Sequence, residues 1–191
     1  MDARAMVFKN RGALLAAPAL LLAIFGKPNL ASIVLGVPLA LAGEAIRIWA
    51  VGYSGATTRA DSVTAPKLVT AGPYAHVRNP LYVGNFITAL GFALAFTGRN
   101  TPLERAGLLG LSLGTMLAVY ATIVPHEEEY LRATFGADYD EYTQRVPRTL
   151  PRRWASTPQE GTYDAGVIAH AESRTFITFA VMLCILALKT R

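Results

Sequence analysis

The sequence predicts an all-α integral membrane protein with about five transmembrane helices and a helix–turn–helix on the cytoplasmic surface. Three observations carry that reading. Hydrophobic residues make up 52% of the 191, charged residues only 16%, and mean hydropathy is +0.33; soluble domains carry closer to about 25% charged. Apolar segments recur along the chain, separated by short polar stretches. Lys and Arg collect on alternate connections, as cytoplasmic loops do. The length suits a single domain over 1–191.

The first apolar segment covers roughly 12–26. Its basic start resembles a signal peptide, but no small-x-small cleavage site follows, since Lys27-Pro28-Asn29 interrupt. It reads as a first membrane helix. The second segment covers 30–52 and the fourth 106–125. Both reach the ~20 apolar residues that span a bilayer. The third (81–97) and fifth (175–188) are shorter and need tilt or flanking residues. With the N-terminus in the cytoplasm, residues 1–11, 53–80 and 126–174 hold 12 Lys/Arg and the opposite side holds 5. That bias sets the topology and puts both motif-bearing polar regions on one side.

Residues 126–154 form the surface element. Gly136 can end a helix as a C-terminal cap. Asp138 then serves as N-cap, with Glu141 completing a capping box. The second helix runs to about Val146, and Pro147 ends it. Tyr139 and Tyr142 share a face that Arg145 extends. Residues 155–174 read as a loop passing into an amphipathic helix, so that an extra C-terminal helix covers about 160–189.

Only one cysteine is present, Cys184, and it lies in an apolar run. No disulfide framework or metal-type cysteine cluster exists, and no metal site is expected. The net charge of +5, in so apolar a chain, points to anionic lipid rather than nucleic acid.

Three polar constellations interrupt this pattern. The stretch GPYAHVRNPLYVGNF, 72–86, opens the third helix. Gly72-Pro73 is a turn, Asn79 a favoured N-cap and Pro80 a favoured first residue. Helix initiation does not account for Tyr74, His76, Arg78 and Tyr82 crowding the same place. Second, Glu127, Glu128 and Glu129 follow His126 at a helix end. They form either a solvated acidic edge or a seat for a cation, supplied by Arg78, Arg145 or a ligand amine. Third, Glu44 and Arg47 are three apart in the second segment and can pair. An ionisable residue at membrane depth is a functional candidate, and an internal structural ion pair is the competing reading.

The stretches KLVTAGPYAHVRNPLYVGN and HEEEYLRATFGADYDEYTQRVPR resemble the two hallmark motifs of the isoprenylcysteine carboxyl methyltransferase family, related to the phospholipid N-methyltransferases. LAGEAIRIWAVG fits that family's second helix, and the resemblance covers about 35–150. It implies S-adenosylmethionine as cofactor, in a pocket built from both motifs. Gly72, Tyr74, His76, Arg78, Asn79 and Tyr82 would hold its adenosine and methionine parts. Glu128, with Glu127 beside it, would take its amino group, and Tyr139, Tyr142 and Arg145 would close the pocket. Arg78, Asn79 and Glu128 are the implied catalytic set. Glu44, Arg47, Trp49 and Arg145 are the implied acceptor-binding set.

A sulfonium methyl is already activated, so displacement needs positioning and exclusion of water rather than a catalytic triad. The implied reaction is carboxyl O-methylation of an isoprenylcysteine-like acceptor. Phospholipid ethanolamine N-methylation is the alternative, and a membrane reductase using NADPH is a further one, although no glycine-rich dinucleotide fingerprint is present. Paired polar motifs at one face argue against transport. The expected location is a bacterial inner membrane, or the endoplasmic reticulum, with the cofactor site facing the cytoplasm and a lipid or lipidated substrate arriving from the membrane. Two features depart from the family. Arg78-Asn79-Pro80 stands where those enzymes usually show Arg-His-Pro, and the chain continues about 40 residues beyond the VPR stretch. Oligomeric state is not legible.

Overall fold

Gly26 to Asn29 break what is otherwise near-continuous apolar helix. A computed structural model describes residues 3–55, 64–151 and 160–190. Helix α1 spans Ala3–Phe25 and α2 spans Leu30–Ser54. α2 starts on a capping box: Ser32 N donates to Asn29 Oδ1 at 2.8 Å, and Asn29 N donates to Ser32 Oγ at 3.0 Å. A short 3-10 turn at Gly72–Ala75 leads to α3, Pro80–Phe96. Thr101 and Glu104 form a second capping box, which opens the long α4, Pro102–Phe135. α5 covers Ala137–Arg145. Near the C-terminus, α6 (Ile168–Ala171) meets α7 (Ser173–Lys189) at a bend of 62°.

All regular structure among the described residues is helical. The helices α1, α2 and α4 are long and apolar enough to cross a membrane, and the bent pair α6–α7 makes a fourth candidate. The sequence suggested five. α3 makes the difference: its 17 residues rise only about 26 Å at ~1.5 Å per residue, short of a ~30 Å hydrocarbon core. Conversely, the 34 residues of α4 run to about 51 Å. Its last turns, with the acidic triplet, therefore project beyond the membrane.

Gly136 ends α4 as expected, with φ +52 and its N–H donating to Arg132 O at 2.9 Å. The expected Asp138 cap does not form. Gly136 is also the residue before α5, which starts at Ala137 without a side-chain cap. One left-handed glycine serves both helices and leaves no room for a separate cap. Glu141 pairs instead with Arg145.

α2 and α3 pack backbone to backbone. A Cβ on Gly91 would lie 2.3 Å from Ala40 N, and one on Gly43 would lie 2.5 Å from Thr88 N. Gly36 and Gly84 face the partner helix in the same way. Small residues at such a seam are how membrane helices gain close van der Waals contact. Polar bonds lace the seam: Ser32 Oγ donates to Ala95 O at 2.8 Å, and Thr88 Oγ1 to Ala40 O at 3.3 Å. The core then extends to α7 through Phe92, Phe96, Phe179, Met182 and Leu186.

The polar regions sort to two ends of the bundle. At one end, Arg4 pairs with Glu129, and Arg78 and Arg148 with Glu128. Thr70 N and Ala71 N there donate to Glu160 O. At the other end, Lys27 pairs with Glu104, and Arg99 Nε donates to Pro28 O. This is the grouping that the charge bias anticipates.

Candidate active site

The chain before α3 is tied to the chain after α5. Arg78 N donates to Pro147 O at 2.8 Å, and Asn79 N to Arg148 O at 3.2 Å. Pro147 cannot extend α5, and Pro80 cannot pair further along this strip. The two motifs therefore meet over two residues, and their side chains converge. Arg78 Nε donates to Glu128 Oε1 at 3.2 Å, while its Nη1 donates to Val146 O at 2.6 Å. Asn79 Nδ2 also donates to Glu128 Oε1, at 3.1 Å. Arg148 Nη2 donates to Glu128 Oε2 at 2.6 Å. Asn79 precedes α3, as its sequence position suggests, but its side chain makes no cap bond. The buried carboxylate beside it outcompetes the helix N-terminus.

Glu127, one residue earlier, points elsewhere. Tyr82 Oη donates to its Oε1 at 2.6 Å, and the Tyr82 ring lies 4.6 Å from that of Tyr120. Glu127 and Leu81 line two cavities at once. The smaller, about 180 Å³, lies under residues 64–69 and includes Tyr74, Arg78, Asn79, Tyr139 and Tyr142. The larger, about 480 Å³, runs among α1, α2, α3, α4 and α7. Glu44, Arg47, Tyr82 and Asn85 line its polar part, and Leu22, Phe92, Phe179 and Met182 its apolar part.

The phenols of the smaller cavity stay protonated. Burial pushes Tyr74 up to about 12, against a hydrogen bond from Ser54 that lowers it. Burial, and then the Glu128 charge, raise Tyr139 to about 12, and burial also raises Tyr142. Tyr142 Oη donates to Tyr74 O at 2.7 Å, which fixes the 3-10 turn against α5.

A second charged cluster sits deeper. Arg47 Nε lies 3.6 Å from Glu44 Oε2, the pairing that the i,i+3 spacing suggests. Its other nitrogens turn to residues that the local spacing does not reveal. Nη2 donates to Glu172 Oε2 at 2.6 Å, and Nη1 to Asn85.

Of the residues picked from sequence, Tyr74, Arg78, Asn79, Glu127, Tyr139 and Tyr142 share the smaller cavity, and Glu44, Arg47, Tyr82 and Glu127 the larger. Glu128 is buried behind them, bonded to the cavity-lining Arg78 and Asn79. The remaining four line neither cavity. Gly72 is half-buried with φ +61, where a Cβ would strike the Tyr53 ring at 2.3 Å. His76 sits 6.1 Å from the Trp49 ring, and Trp49 is 42% exposed. Arg145 faces solvent with Glu141, because it follows Tyr142 by three residues on a helix whose buried face ends there. The sequence reading missed Arg148, Glu172 and Asn85. Arg148 carried a signal, since it directly follows the helix-ending Pro147.

A family model described as phospholipid methyltransferase matches residues 31–138, more than half of the chain. The chain belongs to the phospholipid methyltransferase family. Similar curated members of this methyltransferase set include the protein-S-isoprenylcysteine O-methyltransferase of Schizosaccharomyces pombe, 37% identical over 90 residues, 44% of this chain and 33% of that one. Methanethiol S-methyltransferase 2 of Bradyrhizobium diazoefficiens is 35% identical over 105 residues, 55% and 35% of the two chains. The nickel-cobalt-cadmium resistance protein NccN of Alcaligenes xylosoxydans xylosoxydans is 30% identical over 118 residues, 62% and 47%. The chain thus spans from a third to about half the length of these relatives. No solved structure matches it. The resemblance to isoprenylcysteine methyltransferases read from the two motifs therefore stands. The matched stretch includes Glu44, Arg47 and every candidate residue from Gly72 to Glu128. Tyr139, Tyr142 and Arg145 lie just beyond it, and α6 and α7 lie wholly outside it.

Proposed function

We propose that the protein is an integral membrane methyltransferase that uses S-adenosylmethionine at the smaller cavity and a lipophilic acceptor in the larger one. The observation that carries this is Glu127, a carboxylate lining both cavities at their boundary. The donor set suits the cofactor. Arg78 offers its guanidinium charge to a carboxylate, and Asn79, whose amide N–H groups bond Glu128 and Arg148 O, offers its amide oxygen to a donor. Glu127 offers a carboxylate to an ammonium, a charge-assisted contact of the strong kind. The neutral phenols of Tyr74, Tyr139 and Tyr142 offer faces and O–H groups to a nucleoside. The cavity's ~180 Å³ is below the ~300 Å³ usual for ligand pockets. The cavity would therefore enclose only part of the cofactor.

The cofactor supplies an activated methyl group, so the protein's task is alignment and dryness. Glu128 holds Arg78 and Asn79 in place. Tyr82 orients Glu127 toward the boundary. Helices α1, α3 and α7 exclude water from the acceptor's apolar part. With the cofactor site on the side rich in Lys and Arg, it faces the cytoplasm. Carboxyl O-methylation of an isoprenylcysteine-like acceptor is the preferred reaction, because several similar proteins carry that name. Arg47, lining the larger cavity, suits a carboxylate there.

Calorimetry on detergent-purified protein tests the reading, with S-adenosylmethionine and S-adenosylhomocysteine as ligands and NADPH as comparator. Micromolar binding of the first two is expected. Binding of NADPH alone refutes the methyltransferase and supports a reductase.

A further inference from the structure

Helix α7 lies outside the family-matched stretch, yet it builds a wall of the larger cavity through Thr175, Thr178, Phe179 and Met182. It is fixed at both ends. At one, Arg47 reaches Glu172 at the bend before α7. At the other, Lys189 Nζ donates to Ile24 O in the last turn of α1 and to Gly26 O just past it, both at 2.9 Å. Between them the Phe179 ring meets Phe92 edge-on at 4.8 Å. A helix that only anchored the chain would need none of these three attachments.

Stability does not explain Glu172. It is fully buried, and burying an ion pair costs several kcal/mol that a well-packed apolar residue avoids. Glu172 does not line the cavity, but Arg47 does, together with Glu44 and Asn85. One side chain thus sets both the direction in which α7 leaves the bend and the placement of the guanidinium at the cavity's polar end. From there the acceptor space runs on to Phe179 and Met182.

We propose that Glu172 is a positioning residue that aims Arg47 at the acceptor's head, and that the helix it anchors gauges the acceptor's length, with Phe179 and Met182 at the far end as the stop. This rests on the methyltransferase reading for the acceptor's identity as a lipophilic acid.

The test uses the full chain in nanodiscs. The probes are N-acetyl-S-geranyl-, S-farnesyl- and S-geranylgeranyl-cysteine, with binding read from the thermal stabilisation each confers. S-adenosylmethionine affinity is measured separately by calorimetry. Phe179→Ala is expected to shift preference toward longer chains and Phe179→Trp toward shorter ones. Glu172→Gln is expected to weaken all three probes about tenfold without changing their rank, because Arg47 loses the carboxylate that holds it at the acceptor's head. Glu172→Asp should recover part of that loss, and cofactor affinity should stay within about twofold in every variant. An unchanged rank order in both Phe179 variants overturns the gauge. Equal loss of cofactor and probe binding in Glu172→Gln reduces that residue to a structural role and overturns the positioning claim. Failure of wild-type protein to bind any probe overturns the whole proposal, while the cofactor calorimetry still decides the methyltransferase reading by itself.

Discussion

Glu128→Gln is the most informative single change, because the shape stays and the charge goes. In the native chain Glu128 Oε1 accepts from Arg78 Nε at 3.2 Å, Asn79 Nδ2 at 3.1 Å and Arg148 Nε at 3.1 Å, and Oε2 accepts from Arg148 Nη2 at 2.6 Å. A glutamine keeps one acceptor oxygen and turns an NH2 toward the guanidinium groups. The Arg148 side chain is 51% exposed, so its share is about 0–1 kcal/mol. The Arg78 side chain is 13% exposed; a buried hydrogen bond to a charged group is worth about 1.5–3 kcal/mol. Arg78 retains its bonds to Thr143 O and Val146 O, which limits the damage. A net loss of about 2–3 kcal/mol follows. Arg78 and Asn79 both line the smaller cavity, the proposed cofactor site, so affinity for S-adenosylmethionine should fall about tenfold to a hundredfold, alongside a lower melting temperature. Glu127→Gln separates the two effects: it should weaken cofactor binding while leaving the melting temperature unchanged or raised, since it removes a half-buried charge whose hydrogen-bond partner is a hydroxyl. The assay is calorimetry paired with thermal unfolding. The reasoning fails if Arg148→Gln destabilises as much as Glu128→Gln, or if Glu128→Gln melts earlier yet binds the cofactor normally.

Asn79→Asp keeps a favoured N-cap residue and adds a charge that suits the helix dipole, but it sets a carboxylate against Glu128. Thermal unfolding should show it less stable than wild type, by about 2 kcal/mol or more, and a more stable variant would restore the capping role. Gly91→Val should strongly destabilise the bundle, because even a Cβ falls 2.3 Å from Ala40 N; normal expression and melting would contradict the close α2–α3 seam. Glu141→Cys, made in a Cys184→Ser background, should react with a membrane-impermeant maleimide from the cytoplasmic side only. Labelling from the opposite side inverts the topology.

What the sequence revealed followed distance along the chain. The pairing of Glu44 with Arg47 and the common face of Tyr139 and Tyr142 depend on helical spacing alone, and spacing is local. The grouping of polar ends was legible because charge bias reflects which side each connection occupies. Asn79 holds the N-cap position that its residue type suggests, but its side chain goes to Glu128, 49 residues away, which propensity cannot reveal. Glu172 is 125 residues from Arg47, and its segment read as an ordinary amphipathic approach to a membrane helix. The α2–α3 seam was hidden for a different reason: glycines in an apolar run look the same whether they face lipid or another backbone.

The two charged clusters differ from Glu127 in how their cost is met. Glu128 has two guanidinium groups and an amide against it. Arg47 lies between Glu44 and Glu172. Glu127's hydrogen-bond partner is the neutral Tyr82 hydroxyl, with Arg11 among the residues of the larger cavity. A half-buried carboxylate with no directly bonded cation among the described residues is costly to keep. A cationic cofactor held by Glu127, which lines both cavities, would relieve that cost. On this view the strain at Glu127 is what couples cofactor binding to alignment with the acceptor. It would also leave the more heavily bonded Glu128 to hold Arg78 and Asn79 in place.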